Sequence, residues 1–158
     1  MPDLTRRDVV LIMALNPQPK FVGADLSGVN LSWLDFTGCS LRRANLAGSD
    51  LSHAILRGVN LQEANLAGAI LCYADLEDAD LRNCNLVGAN LAHAHAPYCD
   101  LRAADLREAH IDGADFSYSD LREADLTGVP LLAANLRDAT TKGAQTGPRL
   151  LAGLKKGK

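Results

Sequence analysis

The residue types that could carry chemistry in this chain are four cysteines, four histidines and 19 acidic residues. The cysteines are Cys39, Cys72, Cys84 and Cys99; the histidines are His53, His93, His95 and His110. An even number of cysteines suits a disulfide framework or a thiolate metal site, and histidines beside them suit zinc. Paired carboxylates suit general acid–base work. None of these residues stands in a spacing that marks such a site. The segment from Asn90 to Cys99, with His93 and His95 inside it, has no zinc-ligand spacing. No Gly-x-Ser-x-Gly, phosphate-binding loop or dinucleotide fingerprint occurs either. Whether any of these groups meet in space therefore depends on the elements that carry them.

Those elements announce themselves through a repeat. Every fifth residue from Phe21 through Leu26, Leu31 and Phe36 to Leu136 is apolar, 24 positions in succession without a slip in register. At 47% apolar content the chance of such a run is on the order of 10⁻⁸. Two residues before each centre the chain is small, as at Ala24, Ala44, Ala54, Ala64 and Ala74, and the residue between is usually Asp or Asn. Two residues after the centre Gly recurs: Gly23, Gly28, Gly38, Gly48, Gly58, Gly68, Gly88, Gly113 and Gly128. Five matches neither the helical nor the strand period. Short extended stretches separated by a turn every five residues satisfy it, with centre and minus-two residues inward and the polar residue outward. Gly at the second central turn position supplies the positive φ of a type II turn. Similar blocks recur at multiples of 20, as in the stretches beginning at Leu41, Leu61, Leu81 and Leu121. Four pentapeptides thus make one four-sided coil. Residues 21–140 predict roughly six coils and a shaft of about 30 Å at the interstrand spacing. Equivalent residues then stack in columns.

The motif Ala-(Asp/Asn)-Leu-x-x is carried literally at Ala24-Asp25-Leu26, Ala44-Asn45-Leu46, Ala64-Asn65-Leu66, Ala74-Asp75-Leu76 and Ala124-Asp125-Leu126. In this the chain resembles the pentapeptide-repeat protein family over about three-quarters of its length. The resemblance implies an all-β fold, a right-handed quadrilateral β-helix; the handedness rests on the resemblance alone.

A solenoid must cover its ends. Residues 4–15 predict a short N-terminal capping helix: Thr5 can N-cap, Asp8 completes a capping box, and Pro17 and Pro19 prevent continuation. Val9, Leu11, Ile12 and Leu15 are expected to lie over the first coil. At the far end Leu150, Leu151 and Leu154 are expected to close the last coil, followed by a frayed basic tail. The predicted organisation is a cap over 1–20, the β-helix over 21–140, and a C-terminal cap and tail over 141–158. Arg6 and Arg7 precede an apolar stretch of only seven residues with no cleavage pattern, which fits a cytoplasmic protein better than a secretory signal. No apolar run is long enough to span a membrane, so no membrane partner is expected.

With coils in place, the chemistry can be weighed. Cys39 and Cys99 share an inward column three coils apart, about 14 Å and out of disulfide reach. Cys84 is inward on another side, and Cys72 alone points out. His53 and His93 share a column two coils apart, about 10 Å, too far to bind one zinc. A filled solenoid offers no pocket for a carboxylate pair. No catalytic residue, cofactor or metal is expected, and the chain reads as no enzyme.

Function should then lie on the outward columns. The first face sets Arg42, Arg43, Arg82, Arg102 and Arg122 against Glu63, Asp80, Asp100, Asp120 and Glu123, an alternating lattice. The second, with Asp25, Asp105, Glu108 and Asp125 against Arg107, is flat and small in its middle. The third carries Asp50 and Asp112 without a cation and displays Trp33, His53, Tyr73 and His93 in one column. Ile70, Cys72, Ala92, Pro130 and Leu132 flank that column. The fourth sets Asp35, Asp75, Glu77, Asp78, Asp115 and Asp138 against Arg57 and Arg137. Between residues 21 and 140, 17 acidic residues face eight arginines, a net −9 against −3 for the whole chain. Direct nucleic-acid binding is therefore not expected. The favoured reading is a non-catalytic interaction or scaffold module that presents a rigid face to a partner protein, with homodimerisation an open option. The candidate surface is Trp33, His53, Ile70, Tyr73, His93 and Leu132, whose rings should stack about 5 Å apart. The alternative is mimicry of DNA toward gyrase or topoisomerase, which the resemblance implies for some family members and the −9 shaft favours. One local question remains at Ala96, the only centre without a large side chain: either a neighbour fills the gap, or residues 94–99 form a weak point.

Overall fold

The inward and outward positions of the repeat separate cleanly in the computed structural model, which describes residues 2–16 and 18–147. The centres from Phe21 to Leu131 are buried, and Leu136 is half-buried. Ala44, Ala54, Ala64, Ala74 and their minus-two equivalents fill the corners of the same aliphatic core. With the exception of Ala96, each described centre opens a turn closed by its own carbonyl. Ala24 N–H donates to the Phe21 carbonyl at 3.1 Å, and Ala44 N–H to that of Leu41 at 3.0 Å. Between coils the backbone pairs in parallel: Leu26 N–H donates to the Asn45 carbonyl at 2.8 Å, and Asn45 N–H to that of Ala24 at 2.9 Å. Such bridges join residues 20 apart, from Lys20–Ser40 to Asp120–Thr140. One pairing lengthens into strands β1 (Asp125–Leu126) and β2 (Gln145–Thr146), which run parallel. The architecture is an all-β solenoid.

The Asp/Asn position works through its side chain. Asp25 Oδ1 accepts the Ser27 N–H at 3.1 Å and Asp50 Oδ1 that of Ser52 at 2.9 Å, local bonds that set the turn. Amides at the same position also link successive coils. Asn45 Nδ2 donates to Asp25 Oδ1 at 2.9 Å, and Asn65 to Asn45 and Asn85 to Asn65 at 3.1 Å. Glycine is not required at the turn. Fourteen non-glycine residues take φ between 55° and 65° at the same position, Trp33, Arg43, Tyr73 and Tyr98 among them.

Ala96 is fully buried. Phe116, one coil on in the same column, is buried against the core. Among the described residues from Phe21 to Ala144, the 96–99 turn alone lacks its direct closing bond. The Ser119 hydroxyl replaces it, accepting the Cys99 N–H at 3.0 Å and donating to the Ala96 carbonyl at 2.8 Å. The third-face ladder runs from Asn30 through Asp50, Ile70 and Asn90 to His110. It stops at Pro130, which has no N–H to donate to Ala109. A 3-10 turn, η1 (Leu131–Ala133), follows.

At the start, α1 (Arg6–Leu15) begins with the expected capping box: Asp8 N–H donates to Thr5 Oγ1, and Thr5 N–H to Asp8 Oδ2 at 2.8 Å. Asp3 N–H donates to the Asp25 carbonyl, and the Arg6 guanidinium to the carbonyls of Asn30 and Ser32, tying the segment to the first coil. The expected packing face needs correction. Val9, Ile12 and Met13 pack on the core, whereas Leu11 and Leu15 are 51% and 87% exposed. At 100° per residue positions 9, 12 and 13 share one side of the helix, and 11 and 15 fall on the other. Pro17 and the expected closure by Leu150, Leu151 and Leu154, with the tail, lie outside the described residues.

Candidate interaction surface

Trp33, His53, Tyr73 and His93 occupy the same turn position in successive coils, and the main chain sets their register. Their N–H groups donate to the carbonyls of Ser52, Cys72, Ala92 and Asp112 at 2.9–3.1 Å. The rings stack nearly parallel, with centroids 4.1 Å apart for Trp33–His53, 5.1 Å for His53–Tyr73 and 5.0 Å for Tyr73–His93, and interplanar angles of 8°, 4° and 13°. Trp33 is 70% and Tyr73 55% exposed. The ladder ends at Gly113, where a Cβ would come within 2.5 Å of His93 Nδ1, so the imidazole lies over bare backbone.

Stability alone does not account for these rings. Each adopts φ near 60°, which costs a side-chain-bearing residue roughly 1–2 kcal/mol relative to glycine. Three stacked pairs return roughly 0.5–1.5 kcal/mol each. Over four residues the cost, roughly 4–8 kcal/mol, exceeds the roughly 1.5–4.5 kcal/mol that the three pairs return, and glycine serves the same position in other columns.

Of the flanking residues, Ile70 is exposed beside the ladder, and Ile55 on its other edge is exposed too, a neighbour not singled out from the sequence. Leu132, 84% exposed, belongs to η1, separated from His93 by the coil that carries Gly113; it does not extend the ring stack. A second stack, Tyr98 on Tyr118 at 5.1 Å and 9°, stands on the fourth face. The same 20-residue register could have revealed it in the sequence.

Many of the charged side chains on the first and fourth faces pair with one another. Arg82 bonds Asp80 at 2.7 Å and reaches Asp100 at 3.4 Å; Arg102 bonds Asp100, and Arg122 bonds Asp120. Hydrogen bonds from Arg107 and Arg122 hold the Asp105 and Asp120 carboxyls below the usual range. Asp75, Glu77 and His95 bring ligand atoms within 4.8 Å of one another, but the Arg57 guanidinium already bridges the two carboxylates at 2.6 and 2.7 Å. Burial pushes the Cys39 thiol up to about 11 and those of Cys84 and Cys99 to about 12. The Cys84 and Cys99 thiols donate to the carbonyls of Leu61 and Leu76, as core fillers would. A shallow open depression of about 470 Å³ lies beside Pro130, lined by Gly88, Glu108, Ala109, His110 and Gly128. It holds no paired nucleophile and base. No helix among the described residues is long and apolar enough to cross a membrane.

Comparison with known proteins agrees with this architecture. The family model for pentapeptide repeats matches eight copies, over residues 24–62, 60–95, 84–117 and 99–143. No curated protein matches the sequence. Among solved structures, the chain is similar to HetL, a pentapeptide repeat protein involved in heterocyst differentiation regulation in the cyanobacterium Nostoc sp. strain PCC 7120. The two are 26% identical, over 90% of this chain and 94% of that one, with a TM-score of 0.51. A pentapeptide repeat protein from the Arabidopsis thaliana thylakoid lumen is 33% identical over 66% of this chain and 69% of its own, with a TM-score of 0.42. Another from Nostoc is 25% identical over 92% and 98%, with a TM-score of 0.49. On the unbroken repeat register, the coil-to-coil pairing and the family match together, the chain belongs to the pentapeptide-repeat family.

Proposed function

We infer that this protein is a non-catalytic interaction module that docks a partner protein on its third face. The supporting observation is the ladder of Trp33, His53, Tyr73 and His93: rings at the surface, preformed by the backbone, whose stacking does not repay the cost of their backbone conformation. Rigid aromatic side chains bind at low entropic cost and concentrate at interface cores. Ile55 and Ile70 widen the strip, and α1 serves as the N-terminal cap of a six-coil shaft over residues 21–140 that holds it flat. The working location is the cytoplasm.

A single buried aromatic anchor commonly carries about 2 kcal/mol of binding, roughly 30-fold in affinity. Tyr73→Glu should therefore lose the partner while melting like wild type. Proteins from the native host retained by wild type and by the first-face control Glu123→Gln, but lost from Tyr73→Glu, are the expected result; titrating a retained protein should then change Trp33 emission. Identical retention by all three forms refutes the reading.

The net −9 of residues 21–140 favours a second reading, mimicry of duplex DNA toward gyrase or topoisomerase. The first face, where five arginines meet five carboxylates, contributes nothing to that net charge, and this interruption of the acidic surface weakens the reading. Inhibition of gyrase supercoiling by stoichiometric protein would favour this reading over the first.

A further inference from the structure

The outer side of α1 carries an inference separate from the ring ladder. After Asp8 the helix contains no polar residue through Leu15, so both of its sides are apolar. A helix apolar all round is ordinarily covered on both sides. Here Val9, Ile12 and Met13 pack on the solenoid core, while Val10, Leu11, Ala14 and Leu15 face solvent. Among the described residues, five of the eleven large exposed hydrophobic ones, Val10, Leu11, Leu15, Val22 and Trp33, belong to the helix or to the coil that follows it.

We propose that a second copy of this chain covers this side, its α1 packed antiparallel across a two-fold axis. Two observations select a second copy as the occupant. The first is charge. Residues 21–140 carry a net −9, so two shafts side by side repel, whereas residues 1–20 hold Asp3 and Asp8 against Arg6, Arg7 and Lys20. The N-terminal end is where two copies meet with least repulsion. The second is self-complementarity. The exposed stripe runs from Arg7 through Val10, Leu11 and Ala14 to Leu15. Turned about its middle, it sets Val10 against Leu11 of the other copy and Arg7 against the other helix's last turn. That turn has no basic residue, and its C-cap Asn16 carries extended backbone. A cation there meets the negative end of the helix dipole. Each contact is made twice, as a two-fold interface requires.

The seam is short. Ten residues make a helix of about 15 Å, well under the roughly 800 Å² per partner of a standard interface. Association should accordingly be weak, with a dissociation constant on the order of 100 µM.

Sedimentation equilibrium of the full chain from about 5 to 500 µM reads this directly. Wild type should rise from 16.8 kDa toward twice that mass. Leu11→Glu, which leaves the core untouched and should melt like wild type, should lose at least about tenfold in affinity and so remain predominantly monomeric over this range. Arg7→Glu should weaken the dimer and Tyr73→Glu should leave it intact. The last variant keeps this test distinct from that of the ring face. A wild type that remains monomeric throughout overturns the proposal, as does a Leu11→Glu variant that dimerises normally. Loss of the dimer in Tyr73→Glu with retention in Leu11→Glu overturns it as well, by assigning self-association to the rings.

Discussion

Removing one hydroxyl, in Ser119→Ala, tests how this solenoid tolerates its smallest centre. At the 96–99 turn the Cys99 N–H and the Ala96 carbonyl are joined only through Ser119 Oγ, at 3.0 and 2.8 Å. Ala96, Cys99 and Ser119 are all buried, so water cannot readily replace the oxygen. A buried backbone group left without a partner costs about 1–3 kcal/mol. Two such groups set an upper limit of roughly 6 kcal/mol if neither recovers. If the turn closes as its neighbours do, with a direct N–H to carbonyl bond, the loss approaches zero. Tyr98 has φ of 59°, like the equivalent residue of the other turns, so partial closure is open to the backbone. Phe116, the large buried residue one coil on in the same column, leaves little room for the inward shift that full closure needs. The expected loss is therefore about 2 kcal/mol, the worth of one unsatisfied group, or a fall in Tm of about 4–8 °C for a chain of this size. Circular dichroism melting measures it, and hydrogen exchange localises it: residues 94–99 should lose protection while 64–69 keep theirs. Ser119→Cys should lose less, since Cys84 and Cys99 already donate to carbonyls 23 residues earlier. A Ser119→Ala variant that melts within 1 °C of wild type, with Cys99 exchange unchanged, would show that the turn closes unaided and refute the argument.

Other consequences follow from the buried thiols and the bound carboxylates. Of the four cysteines, the three buried ones have thiols pushed up to about 11 or 12, so a thiol reagent at pH 8 should titrate only Cys72 in the folded protein and all four after denaturation. Reaction of a second native thiol at the rate of Cys72 would contradict the inward packing. Hydrogen bonds from Thr37 to Asp35, Arg107 to Asp105 and Arg122 to Asp120 lower these pKa values in the fold. Their stabilisation is thus fully present above the unfolded value of about 3.9 and lost as pH falls through the folded values. Melting temperature should begin to drop below about pH 4, and a Tm unchanged between pH 5 and 2.5 would count against a stabilising role for these bonds.

The candidate surface was largely legible before any coordinates. A period of five assigns inside and outside, and a period of 20 assigns neighbours. Trp33, His53, Tyr73 and His93 are therefore columnar by arithmetic, and their spacing follows from backbone pairing. Ile70 follows by the same rule. Leu132, also exposed, stands in η1 beyond the point where Pro130 interrupts the ladder, a break that the column rule does not foresee. The Tyr98–Tyr118 stack obeys the rule and was accessible to it.

Read alone, the sequence determined the repeat, its register, the core residues, the helix start and the face that bears the rings. All of these depend on local turn chemistry and on a backbone that returns to the same place every 20 residues. Only the tertiary structure decided which atoms meet. It placed the Ser119 hydroxyl inside a turn 20 residues away, set Arg57 between Asp75 and Glu77, and ended the ring ladder on the bare backbone of Gly113. It also turned Leu11 and Leu15 away from the core, since one short helix with two apolar sides can lay only one of them on the solenoid. A column fixes which residues are neighbours to within a coil spacing of about 5 Å, whereas a hydrogen bond is decided within a few tenths of an ångström.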